Sequence, residues 1–367
     1  MLKHLDKITD CRSHINQEHD VIDICFLVLS AVISGAQSWA DCHEFGTLKL
    51  MWLRKYRPFA NGIPSQQSIG RIFRGVSKQS LLDALLSWVN EHRLSTGLSS
   101  IAIDGKVLKG AKASASSAAL HMVTAYDTGS GLVFSAKSGA SKKSELKLVQ
   151  ELLTCLDLKS ELLTFDALHC QTQTLDYIVK EGGHCILQVK GNQPKLYEAV
   201  QAQFADYITN TPDAECFTQD DKGHGRVEKR ITFQCPLNLP AEIKMKWSQL
   251  KTLIAVERHR KVGNKTSIDT HFYVSSAVLT SEAFGTAIRA HWQTENNQHW
   301  LLDTLFQEDK QKMYDEDGAS ILAILRRWAL NLVKQHPAKT SQNQKFNRAC
   351  WSDDFREEII FGAGQKV

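Results

Sequence analysis

Apolar and polar positions follow two different periods along the chain, and the change from one to the other divides it. From residue 1 to about 95 the period is helical. Val21 to Ile33 (VIDICFLVLSAVI) is an apolar run of helical length. A mixed segment with Trp39, Phe45 and Leu48 follows, then Met51 to Pro58, which ends in basic residues. Asn61-Gly62-Ile63-Pro64-Ser65 reads as a turn, with Ser65 as the N-cap of the next helix. That helix sets Ile69, Ile72 and Phe73 on one side and Gln66, Gln67, Arg71 and Arg74 elsewhere. The pattern suits a helix that reads DNA, and it also suits an ordinary surface helix. A second amphipathic helix covers Leu81 to His92. Ser95 to Ser100 (STGLSS) reads as a linker, which puts a boundary near residue 95.

From Ile101 the period becomes that of strands. Ile101-Ala102-Ile103-Asp104 is apolar and ends on a carboxylate. His121 to Tyr126 and Gly131 to Ser138 flank Asp127-Thr128-Gly129-Ser130, a hairpin signal. A helix is predicted around Glu145 to Leu156. A strand at Leu162 to Phe165 ends on Asp166, a helix spans Gln171 to Glu181, and a fifth strand spans His184 to Val189. Three antiparallel strands, a helix, a strand, a helix and a strand is the order of a ribonuclease H-like core. Residues 205–280 interrupt it with strand-like runs at Val227 to Gln234, Leu253 to Arg258 and Thr270 to Ser275. A long helix is predicted over 282–309, with Ile288, Trp292, Glu295, His299, Leu302 and Phe306 in one stripe. Another covers Ala319 to Gln335. The expected fold is therefore α/β. A ribonuclease H-like catalytic core (96–204 and 281–335) carries a mostly β insertion (205–280). An all-helical domain (1–95) precedes it and a tail (336–367) follows.

The stripe on the long helix directs Glu295 toward the sheet. A carboxylate in an apolar stripe is costly unless it is paired or holds a cation. Asp104, Asp166 and Glu295 are therefore candidates for one acidic cluster, although any one of them alone could be a salt bridge or a cap. Oxygen donors without a Cys/His set favour Mg²⁺ or Mn²⁺ over Zn²⁺. Two such ions suit phosphoryl transfer. His169-Cys170 and His184-Cys185 match no zinc spacing and read as core or surface residues. Lys142-Lys143 and Arg326-Arg327 are basic pairs that suit either phosphate contacts or solvated faces.

Composition narrows the setting without choosing the chemistry. The 367 residues suffice for two domains or one large core with insertions. A net charge of +4 permits nucleic-acid binding without requiring it. The nine cysteines are odd in number and form no Cys-x-x-Cys pair, so reduced thiols in a cytosolic protein are expected. Asp6, Asp10, Glu18 and Asp20 do not fit a secretory signal, and no apolar run approaches the roughly 20 residues of a membrane span.

Four motifs carry a family resemblance. Ala102-Ile103-Asp104-Gly105-Lys106, Phe165-Asp166-Ala167, Val189-Lys190-Gly191-Asn192-Gln193 and Arg289 to Asn296 (RAHWQTEN) resemble those of DDE transposases. Among these the chain is most similar to the ISAs-type, H-repeat-associated branch. Leu29 to Glu44, Asn61 to Phe73 and Leu302 to Asp309 resemble that branch as well. The resemblance implies that Asp104, Asp166 and Glu295 are a DDE triad acting with Mg²⁺ or Mn²⁺, on element ends and target DNA, in a dimer or larger multimer. DNA contacts are expected from Lys106, Lys190, Asn192, Arg226, His291, Trp292 and Arg71. Lys190 and Asn192 sit at a strand-to-helix turn suited to phosphate, or simply to a turn. Trp292 suits stacking on DNA or burial in the core. Relatives in the wider superfamily follow a Tyr-x2-Arg-x3-Glu-x6-Lys pattern. Here Ile288, His291 and Leu302 hold the tyrosine, arginine and lysine positions. A nuclease that hydrolyses without joining, an inactive DNA-binding remnant and a metal-free scaffold are the rival readings.

Overall fold

The computed structural model describes residues 1–13, 15, 17–93, 100–109, 120–139, 145–223, 226–311, 313 and 315–363. Lys142-Lys143 and, apart from Ser100, the predicted linker lie outside the described residues. The N-terminal part is helical, with α1 (Leu2–Leu5), α2 (Val21–Ile33), α3 (Trp39–Leu53), α4 (Gln66–Arg74) and α5 (Lys78–His92). Helix α2 has no polar face and is buried almost all round, as such a sequence requires. Its one charge, Asp23, is compensated. The carboxylate accepts from Arg57 Nε at 2.8 Å and from Phe59 N at 2.8 Å. Ser65 does cap α4, accepting from Ser68 N.

The core sheet follows. Strands β1 (Ser100–Leu108), β2 (Leu120–Asp127) and β3 (Val133–Gly139) pair antiparallel. Helix α6 (Glu145–Leu153) leads to β4 (Leu162–Phe165), which lies parallel to β1. Helix α7 (Thr172–Lys180) leads to β5 (His184–Val189), parallel to β4. This is the ribonuclease H-like order read from the sequence. Ser100 to Ile103 is buried throughout, as befits a strand covered on both faces.

Helix α8 (Pro194–Asn210) leads into the insertion, residues 205–280, which holds β6 (Cys216–Gly223), β7 (Arg226–Pro236), α9 (Ala241–Lys246), β8 (Thr252–Val262) and β9 (Lys265–Ser275). Its strands do not form a separate sheet. Strand β9 pairs antiparallel with β5, and one nine-stranded sheet runs β3-β2-β1-β4-β5-β9-β8-β7-β6. The pairing removes the open edge that β5 would otherwise present. Along β8 burial gives way to exposure beyond Val256, so the far half of the β8–β9 hairpin reaches out from the core.

Helix α10 (Ser281–Thr294) continues through a π-helical turn, Glu295–His299, into α11 (Trp300–Thr304). Helix α12 (Glu316–Gln335) packs on α2 on one side and β3 on the other, joining the helical layer to the sheet. Helices α13 (Gln342–Trp351) and α14 (Asp353–Phe361) occupy the stretch read as a tail. They bury Phe346, Phe355 and Ile359 and pack on α2 and α12. No helix among the described residues is long and apolar enough to cross a membrane.

Candidate active site

Hydrogen-bond register brings the first two acids together. In the parallel β1–β4 pair, Ile103 lies opposite Phe165. Asp104 and Asp166 each follow these residues, and paired strands lie only about 4.8 Å apart. Strand β1 does not end on Asp104 as its sequence suggests but runs on to Leu108, held by its pairing with β2, whereas Asp166 lies just past the end of β4. Burial pushes the Asp104 carboxyl up. A hydrogen bond from Gly105 N opposes the rise, the nearby Asp166 charge adds to it, and the result is about 6. Asp166 caps the short 3₁₀ turn Ala167–His169, accepting from Leu168 N at 3.1 Å.

Helix α10 and its π turn run across these strands. His291 Nδ1 meets Thr164 Oγ1 of β4 at 2.8 Å. His299 Nδ1 stands 3.7 Å from Asp104 Oδ2. Gln298 donates to Thr124 Oγ1 of β2 at 3.0 Å. Burial lowers both imidazoles to about 4, so each is neutral at pH 7. For His299 the Arg327 and Lys106 charges add to the effect. Any phosphate contact from His291 would therefore come from a neutral donor.

Glu295 does not face the sheet as its place in the stripe predicts; it is exposed. The stripe is already turned away before the π turn begins at Glu295, since Trp292 is exposed too. Thr294 and Gln298 take the buried positions instead. Among the described residues, no group of three His, Cys, Asp or Glu side chains is arranged to hold a metal ion. The Asp104–Asp166 pair still suits a hard divalent cation, because it sets two oxygen donors together at a cost in charge repulsion.

Glu295 instead lines a cleft of about 430 Å³ between the insertion strands and α10. Lys190, Arg230, Arg258, Arg289, Tyr273 and Trp292 also line it. Carboxylates offset part of the positive charge. Arg289 pairs with Asp221 at 2.6 Å, Arg258 with Asp269 at 3.4 Å, and Arg230 with the buried Glu228. Burial and the Arg289 charge lower the Arg230 pKa. Trp292 is 45% exposed, so it is not a core residue. Lys190 and Asn192 are exposed, and Asn192 donates to Ala167 O at 2.6 Å, bracing the turn after Asp166.

Other expected DNA contacts fare differently. Lys106 is buried, and its ammonium is held by Asp303 and Glu308. It ties β1 to the chain after Glu295 and does not present itself to a phosphate. Arg326 and Arg327 are fully buried as well, so neither forms a solvated or phosphate-facing surface. Arg327 pairs with Glu308 at 2.7 Å and Arg326 with Gln311. Arg71 is exposed on α4, and the side chain of Arg226 lies outside the described residues. Ile288 and Leu302, at the superfamily's tyrosine and lysine positions, are core residues.

Sequence reasoning missed two groups here. The sequence marks Glu145 only as a helix start and His169 only as a core or surface residue, yet both adjoin the aspartates. The one available hint was the spacing of His169 from Asp166, a single 3₁₀ turn.

A family model described as the transposase DDE domain matches residues 95–332, and one described as DDE_Tnp_1-associated matches residues 2–89. YhhI of Escherichia coli (strain K12), named as an H repeat-associated candidate transposase, is 32% identical, covering 99% of this chain and 98% of its own. YncI of Escherichia coli O157:H7, named as a candidate transposase, is 31% identical over 98% of this chain and 94% of its own. A solved piggyBac transposase in a synaptic complex with hairpin DNA overlaps 99% of this chain and 80% of its own, with TM-score 0.39 and 11% identity.

Proposed function

The chain belongs to the DDE-domain transposases, and from that premise we propose that it binds the ends of its own mobile element and catalyses divalent-metal-dependent cleavage and joining of DNA strands. The observation that carries the proposal is the β1–β4 register, which sets Asp104 beside Asp166; burial, with the Asp166 charge adding to it, pushes the Asp104 carboxyl up to about 6. Two carboxylates held against their own repulsion suit a divalent cation.

Asp104 and Asp166 would hold the metal, and Glu295 would complete the set once the helix is re-phased at its π turn. Bound there, Mg²⁺ or Mn²⁺ supplies an activated water or 3′-hydroxyl at neutral pH and stabilises the leaving oxygen. Lys190, Arg258 and Arg289 would track the DNA backbone in the cleft, and the exposed face of Trp292 would stack on a base. Asn192 keeps the Asp166 turn in place through its bond to Ala167 O. The active assembly would be a dimer or larger multimer on DNA.

A second reading has one observation in its favour. The exposed Glu295 suits a DNA-binding remnant that no longer cuts. A strand-transfer assay with precut element ends separates the readings. Joining supports a transposase, cutting without joining marks a nuclease, and neither activity with retained DNA binding marks a remnant. A Glu295→Gln variant that still cuts at the wild-type rate would remove Glu295 from the triad.

A further inference from the structure

Glu145 opens α6 with its carboxylate buried, against the residue that follows Asp104. A Cβ at Gly105 would overlap Glu145 Oε1, so the glycine leaves the space the carboxylate fills. The two oxygens meet two imidazoles. His169 Nε2 is 3.3 Å from Oε1, and His121 Nδ1 is 3.8 Å from Oε2. His169 is only 1% exposed. It ends the turn capped by Asp166, and its Nε2 is also 3.9 Å from Asp166 Oδ1. Neither ring nitrogen has a well-formed hydrogen bond among the described residues. The same ring nitrogen thus lies near both carboxylates and is in a well-formed hydrogen bond with neither. A buried polar group so placed is costly unless some state of the protein tightens its contacts.

We propose that Glu145 and His169 are a positioning pair for the two aspartates: the Nε2–H of His169, shared between the Glu145 and Asp166 carboxylates, holds Asp166 beside Asp104. This rests on the reading of Asp104 and Asp166 as metal ligands. Carboxylate ligands are commonly fixed by hydrogen bonds from outer residues, whose loss weakens metal binding by about 10- to 100-fold. The elements involved are separate in sequence: β1 supplies the gap, α6 the carboxylate and the Asp166 turn the ring.

The test uses the full chain without DNA and follows Mn²⁺ binding by isothermal titration, with thermal melting as the check on folding. Glu145→Gln, His169→Gln and the double variant are compared with wild type and Asp104→Asn. Each single change is expected to weaken Mn²⁺ binding about tenfold, with the double no worse than the weaker single. Gly105→Ala, which crowds the carboxylate without removing it, should act in the same direction and serves if Glu145→Gln does not fold. A merely structural role would lower the melting temperature and leave Mn²⁺ affinity alone. Wild-type or tighter binding in both singles, or additive losses in the double, overturns the pair. If Asp104→Asn binds Mn²⁺ as wild type does, the reading of the aspartates as ligands falls instead.

Discussion

The two halves of the acidic site are built differently. Asp104 lies in β1 and Asp166 directly follows β4, and the last registered pair of those strands, Ile103 and Phe165, sets them side by side. Glu295 sits on a helix lying across those strands, at a turn that is already out of α-helical phase. A strand pair slips only by breaking its ladder and turning every side chain over. A helix can change the direction of one side chain by gaining or losing a π turn, and such turns recur at functional sites. The lesson is that the strand half is set by the fold, while the helix half is open to adjustment when DNA or metal arrives.

The largest expected effect tests that division directly. Asp166→Asn and Glu295→Gln should each lower strand cleavage by more than about 100-fold, the upper end for outer residues of a metal site. They should differ without DNA. Asp166→Asn should abolish Mn²⁺ binding, whereas Glu295→Gln, being exposed, should change it by no more than about twofold. Equal losses of Mn²⁺ binding in both would mean that the helix half is pre-formed in solution.

Next comes the tie between the halves. Lys106 reaches from β1 to Glu308, which is fully buried. Burial alone would raise the Glu308 carboxyl, but Arg327 and Lys106 hold it down to about 2. Lys106→Ala should therefore destabilise the protein by about 1.5–3 kcal/mol in denaturant melts, because it removes one of the two cations that hold a buried carboxylate and leaves Arg327 in place. A change below about 0.5 kcal/mol, the range of ordinary surface substitutions, would show that the two halves are not coupled there.

The strand half also predicts a pH dependence. The folded Asp104 carboxyl lies at about 6, above the roughly 3.9 of an unfolded chain. Folding thus favours the protonated form. The stability from this group is fully present below about pH 4 and lost as pH rises through about 6. Asp104→Asn should stabilise the metal-free protein at pH 8 by about 1–2 kcal/mol, allowing for partial exposure, and by nothing measurable at pH 4. Melting curves at the two pH values check this, and a gain that does not depend on pH would contradict it. The smallest effect belongs to the cleft. Lys190→Ala should weaken DNA binding a few-fold and reduce the salt slope of affinity by about one, measured by anisotropy across a salt series.

Much of the strand half was legible in the sequence. Apolar runs up to Asp104 and Asp166 mark the buried stretches of two strands, although β1 continues beyond Asp104, and their order gives the sheet. The hairpin after Asp127 was legible for the same kind of local reason, since its carboxylate accepts from Ser130 N. The helix half was less so. Helical periodicity groups residues by face but does not say which face meets the sheet: Trp292 and Glu295 of the predicted stripe are exposed, and Thr294 and Gln298 are buried. Lys106, Arg326 and Arg327 looked available to phosphate because charge is visible in a sequence and its partners are not. Glu308, Asp303 and Gln311 lie hundreds of residues from Lys106 or on another turn of chain, and only packing brings them together.

The sequence by itself determined the elements and the neighbourhood of the two aspartates, because hydrophobic period, caps and turns act over a few residues. Tertiary structure alone decided which charges are buried in pairs, that the insertion strands extend the core sheet, and that Glu295 stands exposed while Glu145 lies against Asp104's strand. Those outcomes depend on the meeting of distant segments, where burial and pairing energies, not local preference, choose the arrangement.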